Sequence, residues 1–269
     1  MIDWSLFPLY LGLGAFVGFL AGLLGVGGGF TIVPVLMEAF AHEAFDTAQV
    51  LPLAVGTSSA TIVFTAFSSA RAHHLRGAVA WEIVRPLAPG LILGSLIGPQ
   101  IASALPMRAM AAFVGCVTWL AALRMLANRP PSPTGALPGK GGLFAVGAVI
   151  GLVAGMVGTA GAFLAVPFMI RSNVNVHRAV ATSAAIGWPV AVAGTLGFIF
   201  AGLRQPNLPP YAIGYVYLPA LAGIAAASML LAPLGARVAH AWPVARLRRA
   251  FSVLLLVLGG YMLWRAING

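Results

Sequence analysis

Main-chain amides and hydroxyl groups, rather than charged side chains, are the chemistry this sequence places in apolar surroundings. Two stretches carry it: "GLLGVGGGFTIVP" from Gly22 to Pro34, and "GMVGTAGAFLAVP" from Gly155 to Pro167. Each sets glycines inside a run otherwise apolar enough for a membrane helix. They are Gly25, Gly27, Gly28 and Gly29 in the first, and Gly158 and Gly161 in the second. Irregular backbone at membrane depth is tolerated only where protein buries it or where it lines a wet cavity. Glycine supplies the φ angles of a tight turn and lets a ligand approach the main chain. A half-helix starting near Gly28 and Gly29, or near Gly161 and Ala162, would aim unpaired N–H groups and its positive dipole end at whatever lies there. Such a cradle prefers an anion. Thr159 puts a hydroxyl beside the second one. The alternative is a continuous helix whose glycines serve close packing.

Further hydroxyls lie in apolar segments: Thr57, Ser58, Ser59, Thr61, Thr182 and Ser183. They could donate to substrate oxygens, and Thr57, Ser58, Thr182 and Ser183 are the strongest candidates. Their competing role is to bond their own helix or a neighbouring one. Gln100 is a weaker buried-amide candidate, near a segment end.

Other chemistries lack residues. The five acidic residues, Asp3, Glu38, Glu43, Asp46 and Glu82, lie in termini, loops or segment ends. A cation site built on carboxylates therefore has no candidate at depth. None of the histidines His42, His73, His74, His177 and His240 pairs at metal spacing, and none lies in a segment interior. The single cysteine, Cys116, excludes an internal disulfide and a cysteine metal cluster. No metal or cofactor is expected, and an intramembrane enzyme would need a catalytic pair that is not visible. The net charge of +10 does not point to nucleic acid, because the basic residues cluster in short loops and at segment ends. Trp188 is a candidate for core packing or for lining a pathway.

The elements that must position these groups follow from composition. The chain is 60% hydrophobic and 7% charged, against about a quarter charged in soluble domains. It is an integral membrane protein. Eight apolar segments are predicted, at about 9–40, 47–70, 83–103, 109–127, 142–170, 179–202, 211–234 and 250–266. Runs longer than about 18 residues support helices rather than a barrel. "MIDWSLFPLY" has no basic region ahead of its apolar run, so no cleavable signal peptide is expected.

The chain also repeats. Gly18, Gly22, Gly25, Gly28, Phe30 and Pro34 match Gly151, Gly155, Gly158, Gly161, Phe163 and Pro167 at a constant separation of 133. Pro86, Gly90 and Ser95 match Pro219, Gly223 and Ser228 at the same separation. "GTSS" from Gly56 is echoed by "ATSA" from Ala181. The first repeat is read as 1–127, the Pro/Gly-rich linker as 128–141 and the second repeat as 142–269. Internal repeats of this length mark many transporter folds.

Charge bears on orientation. If every segment crosses once, the 15 basic residues divide almost evenly between the two sides. If the second glycine segment enters and leaves on one face, only Arg108, Arg204 and Arg265 lie opposite all the others. That asymmetry is what the positive-inside rule expects. From Phe30 to Phe40 a helix covers about 16 Å, against a hydrocarbon core of about 30 Å, so the first glycine segment is folded back too. The expected fold is an all-α polytopic membrane protein of two inverted repeats. Each has a broken or re-entrant glycine-rich hairpin and three spanning helices, and both termini lie outside.

With these motifs the chain resembles the sulfite exporter TauE/SafE family over about residues 8 to 266. The twin glycine stretches, each followed by a "TS" pair, carry the resemblance. The second copy departs from the glycine run at Ala160 and Ala162. The resemblance implies a multi-pass protein of a bacterial inner membrane that moves a small sulfur-containing anion, such as sulfite, sulfoacetate or a related organosulfonate, with export expected. Gly25, Gly27, Gly28, Gly29, Gly158, Thr159 and Gly161 would hold the substrate, with Thr57, Ser58, Thr182 and Ser183 as donors. The rivals are a carrier for carboxylates or a cation, and a passive channel. Oligomeric state is not readable from the residues.

Overall fold

A computed structural model describes residues 6–24, 28–43, 45–127, 135–239 and 244–268. The elements are α1 (Phe7–Leu24), α2 (Gly29–His42), α3 (Thr47–Leu75), α4 (Trp81–Ala104), α5 (Met107–Ala127), α6 (Lys140–Val157), α7 (Ala162–Arg171), α8 (Val176–Gly202), β1 (Ala212–Ile213), β2 (Val216–Tyr217), α9 (Leu218–Ala239) and α10 (Val244–Asn268). Each glycine segment is thus two helices, and the other six apolar segments are one helix each. Six helices among the described residues are long and apolar enough to cross a membrane. The chain is a multi-pass membrane protein.

The short helices α2 and α7 have 14 and 10 residues, about 21 Å and 15 Å, too short to cross a core of about 30 Å. Both fold back. Glu43, just past α2, accepts from the phenol of Tyr10 in the first turn of α1. Gly135, just before α6, donates its N–H to the Arg171 carbonyl at the end of α7, at 3.2 Å. Each pair is therefore a hairpin that begins and ends on one side of the protein.

The packing is reciprocal between halves. α4 runs along α6, and α9 runs along α1. Glycines make both approaches close. A Cβ on Gly94 would stand 2.6 Å from the Leu152 nitrogen, and one on Gly18 would meet the Ser228 backbone. Without a hydrophobic drive between helices in lipid, close backbone approach of this kind supplies the packing. Ser95 and Ser228, matched in the repeat, both sit fully buried at these seams, and Ser95 Oγ donates to the Gly151 carbonyl at 3.2 Å.

The centre is the antiparallel crossing of α3 and α8, where a Cβ on Gly56 would stand 3.0 Å from Phe198 Cβ and one on Gly187 would stand 3.9 Å from Ala66 Cβ. In its most apolar window α3 is 78% inside the protein, against 28% for α10. The described part of α10 pairs antiparallel with α5 at the rim: Trp119 Nε1 donates to the Leu256 carbonyl at 2.9 Å, and a Cβ on Gly115 would stand 3.1 Å from the Gly259 carbonyl oxygen.

Two sequence expectations are corrected. The seventh segment does not begin as helix at 211: Gly214, at φ +54°, turns a two-stranded hairpin with Ala212 opposite Tyr217, and α9 starts at Leu218. Trp188 is not a core residue: it is 41% exposed and lies against Phe67, with ring centroids 5.9 Å apart.

Candidate functional site

The second break is fully described. α6 ends on Gly158 at φ +73°, the left-handed region. The N–H groups of Gly158 and Thr159 both return to the Ala154 carbonyl, at 2.9 and 3.0 Å, where α6 ends. α7 then opens from Gly161, also at φ +73°. Two left-handed residues three apart turn the chain back without a longer loop. The Gly161 carbonyl accepts from Leu164 and Ala165. The N–H groups of Ala162 and Phe163 precede the first possible intrahelical acceptor, and no described residue accepts from them.

In the first break, Gly25 and Gly27 lie outside the described residues. Gly28 caps α2 with ordinary backbone angles, φ −66° and ψ 4°. It has no room for a side chain, because a Cβ there would run into Val17 Cγ1. Gly29 lies against the Gly158 carbonyl and leaves its Cβ position 3.0 Å from Ile62 Cδ1. Phe30 meets Phe163 edge to face, with centroids 5.0 Å apart. The two breaks therefore touch, and the starts of α2 and α7 are neighbours at the middle of α3.

The hydroxyls divide into two groups. Thr57 Oγ1 accepts the Tyr217 N–H at 3.0 Å, at the start of α9. Thr182 Oγ1 accepts the Ala80 N–H at 3.0 Å, at the start of α4. Each "TS" threonine thus caps a helix of the other half. Beside the first cap the buried Tyr215 phenol is pushed above the usual tyrosine range, first by burial and then by the Asp46 carboxylate. Ser58 Oγ donates to the Gly158 carbonyl at 3.1 Å, which pins the second break to α3. Thr61 bonds back to the Thr57 carbonyl of its own helix at 2.9 Å.

The second group is unpaired. Thr159, Ser183 and Thr31 are 5%, 2% and 2% exposed, and their hydroxyl oxygens are buried with no hydrogen-bond partner. A buried hydroxyl left without a partner costs stability. Thr159 lies between the two left-handed glycines. Ser183 lies one turn before Gly187 on the same face of α8, and that face abuts the break: a Cβ on Gly187 would stand 3.1 Å from Ala160 Cβ. Thr31 stands in the first turn of α2. Sequence reasoning passed over Thr31, although its place directly after the glycine run was the available signal.

Among the described residues no Asp, Glu, Lys or Arg is buried. Arg71, Arg76, Arg85, Arg108, Arg124, Lys140, Arg171, Arg178, Arg204 and Arg249 are exposed, and the half-buried Arg265 pairs with Glu38 at 2.6 Å at the end of α2. Among the described residues no cluster of His, Cys, Asp or Glu could hold a metal. Gln100, the weaker candidate, donates its Nε2 to the Gly197 carbonyl at 2.8 Å and joins α4 to α8. Sequence reasoning also missed the Glu43 carboxylate, which accepts from Tyr10 and, at 3.1 Å, from Tyr217.

Comparison with known proteins places this geometry. The family model described as sulfite exporter TauE/SafE matches residues 10–262. The chain is similar to a probable membrane transporter protein of Haemophilus influenzae, 34% identical over 93% of this chain and 95% of that one. It is also similar to the probable membrane transporter protein YdhB of Bacillus subtilis, 26% identical over 69% of this chain and 76% of that one. A probable membrane transporter protein of Methanocaldococcus jannaschii is 24% identical over 96% of each chain. No solved structure matches. A multi-pass helical protein with two touching helix breaks, matched by this family model over nearly its whole length, is a membrane transporter, and the chain belongs to the sulfite exporter TauE/SafE family.

Proposed function

We propose that this protein is a secondary transporter that exports a small sulfur-containing anion, such as sulfite, sulfoacetate or a related organosulfonate, across a bacterial inner membrane. One observation carries the reading. The starts of two half-helices meet beside the middle of α3, with the buried, unpaired hydroxyls of Thr159 and Ser183 at the second break. Two positive dipole ends placed together repel each other unless an anion lies between them.

Substrate would sit against the main chain of Gly27, Gly28, Gly29 and Gly161, with Thr159 and Ser183 as donors. Thr57 and Thr182 each keep a proton free to donate, because their oxygens act as acceptors in the caps. Gly158 shapes the second turn, and Ser58 holds it in place. Antiparallel pairing of the matched helices α3 and α8, and of α5 and α10, supports inverted halves of about 1–127 and 142–269. Rocking of one half against the other would give alternating access. Outward movement of an anion is favoured by about 2.3 kcal/mol per charge per 100 mV of inside-negative potential, so export needs no coupling ion.

The test is a thermal-shift titration of the protein in nanodiscs against sulfite, thiosulfate, sulfate, sulfoacetate, taurine, acetate and lactate. Stabilisation by sulfur anions but not carboxylates is expected. Stabilisation by acetate and lactate instead would move the protein to the organic-anion carriers.

A further inference from the structure

We propose that the segment 206–217 is a movable strap across the start of α3, and that the hydrogen bond from Tyr217 to Glu43 is the latch that holds it shut. This rests on the alternating-access reading above and names a moving part for it.

The segment runs from the end of α8 to the start of α9 without helix. It lies against both central helices. A Cβ on Gly56 of α3 would run into the Tyr215 carbonyl oxygen, and one on Gly202 of α8 would stand 2.6 Å from Gly214 Cα. Tyr215, Val216 and Tyr217 are buried. Three hydrogen bonds tie the segment to the first half of the chain: Glu43 accepts from the Tyr217 phenol at 3.1 Å, Thr57 accepts from the Tyr217 N–H at 3.0 Å, and Gln49 Nε2 donates to the Pro206 carbonyl at 3.0 Å. The Tyr217 ring also meets Phe40 and Phe45 edge to face, with centroids 5.4 and 5.3 Å away.

Two features work against this closure. Gln49 Oε1, on the same amide that holds Pro206, is buried with no partner. An unpaired buried acceptor costs stability that water restores on opening. Tyr211 is held at φ +67°, a region unfavourable for a bulky side chain. A strained segment, fixed by a few polar bonds over an unpaired acceptor, is poised between two positions. Of those bonds, the one to Glu43 is charge-assisted and so the strongest. Glu43 makes no ion pair among the described residues; its described partners are the phenols of Tyr10 and Tyr217. Tyr10 lies in the same half as Glu43, so only the Tyr217 bond crosses between halves.

The far end of α3 is closed more lightly. There the Ala80 N–H bonds Thr182 at 3.0 Å, and Glu82 pairs with Arg178. Both of those charged side chains are more than half exposed, where an ion pair contributes little. The strap is the heavier of the two closures, and opening its face requires the latch to break.

Leu53 is the reporter. It is fully buried, one turn after Gln49 and one turn before Thr57, on the stripe of α3 that the segment covers. Leu53→Cys is made in the Cys116→Ala background, and its reaction with an impermeant maleimide is timed in nanodiscs, where both faces are accessible. Adding Tyr217→Phe removes the latch hydroxyl and keeps the ring, and is expected to speed labelling at least about tenfold. Glu43→Gln should give a smaller increase, because the amide keeps an oxygen for a phenol, and it is the second probe if Tyr217→Phe does not fold. Tyr10→Phe should leave the rate within about twofold of the parent. An unchanged rate in Tyr217→Phe and Glu43→Gln, with only Tm lowered, would overturn the latch. An increase as large in Tyr10→Phe would also overturn it, since the bond within one half would then matter as much as the bond between halves. Thermal shift with sulfite on the same proteins separates the two readings. Sulfite stabilisation with unchanged labelling would remove the latch and leave the anion transporter. Labelling that follows the latch, with no anion stabilising any of the proteins, would do the reverse.

Discussion

Phe30 and Phe163 meet edge to face, their planes at 74° and their centroids 5.0 Å apart. They are matched positions of the two repeats, and each is the second residue of its half-helix. A residue that touches its own counterpart marks the line where the halves meet. Phe30 is 3% exposed, whereas Phe163 is half-buried. Truncating a buried phenylalanine costs about 3–5 kcal/mol through transfer and cavity terms, and the aromatic pair adds about 0.5–1.5 kcal/mol. Phe30→Ala is therefore expected to lower Tm in detergent more than Phe163→Ala. The double variant should lose less than the sum, since both single changes remove the same contact.

The second break makes a sharper prediction. Gly158 and Gly161 share φ +73°, where any side chain costs about 1–2 kcal/mol. Space then separates them. A Cβ on Gly158 would stand 2.8 Å from Val55 Cγ1 and 2.9 Å from the Val55 carbonyl oxygen. On Gly161 the nearest atoms are Ile150 Cγ2 at 3.1 Å and Ala154 Cβ at 3.3 Å, both ends of small side chains. Gly158→Ala should destabilise clearly more than Gly161→Ala, and Gly161→Asn should be the mildest, because Asn tolerates the left-handed region. Equal losses of Tm at the two sites would contradict the packing. A side chain at Gly28 is a poorer probe of binding, since it would meet Val17 first.

Much of the architecture was legible because it is written in strong, local signals. Length and hydropathy locate the segments, and the 133-residue separation of Gly18 and Gly151, or of Phe30 and Phe163, exposes the repeat. Proline and glycine placement shows that the glycine segments break. What the glycines do was only half legible. Gly28 and Gly29 sit at the break but are also pressed against neighbours. Gly18, Gly94 and Gly151 are there so that backbones can touch. A glycine looks the same in both roles, and only the position of a neighbouring helix tells them apart. The hydroxyls show the same limit. Thr57 and Ser58 are adjacent and alike in sequence, yet one caps α9 and the other holds Gly158. The partner is over 90 residues away in both cases, beyond what local pattern carries. Tyr10, Glu43 and Tyr217 were missed for the same reason.

The two capping threonines should behave as structural residues. Thr57→Val and Thr182→Val keep shape but leave the Tyr217 or Ala80 N–H buried without its acceptor, at a cost of about 1–3 kcal/mol each. Serine at either position keeps an acceptor and should recover most of the loss. Thermal unfolding of the four variants in detergent checks this. The contrast with Ser183 is the informative part. Valine at Thr57 or Thr182 should lower Tm, whereas alanine at Ser183 should not. A Ser183→Ala variant as unstable as Thr182→Val would mean that Ser183 also has a structural partner.

Topology can be read by labelling. The return of α7 to Gly135 puts both ends of the second hairpin on one side, so the linker and the loop after α8 must face opposite compartments. Cys116 is the only cysteine, and Cys116→Ala provides a background without thiols. Single cysteines at Ala136 and Gln205, both exposed, then report the two sides. With the basic residues inside, an impermeant maleimide applied to intact cells should label Gln205→Cys at once and Ala136→Cys only after permeabilisation. The reverse pattern would keep the hairpin but turn the protein over, so that both termini face the cytoplasm. Labelling of both sites from one side would mean that residues 142–170 cross the bilayer as a single span, and the re-entrant hairpin would be lost.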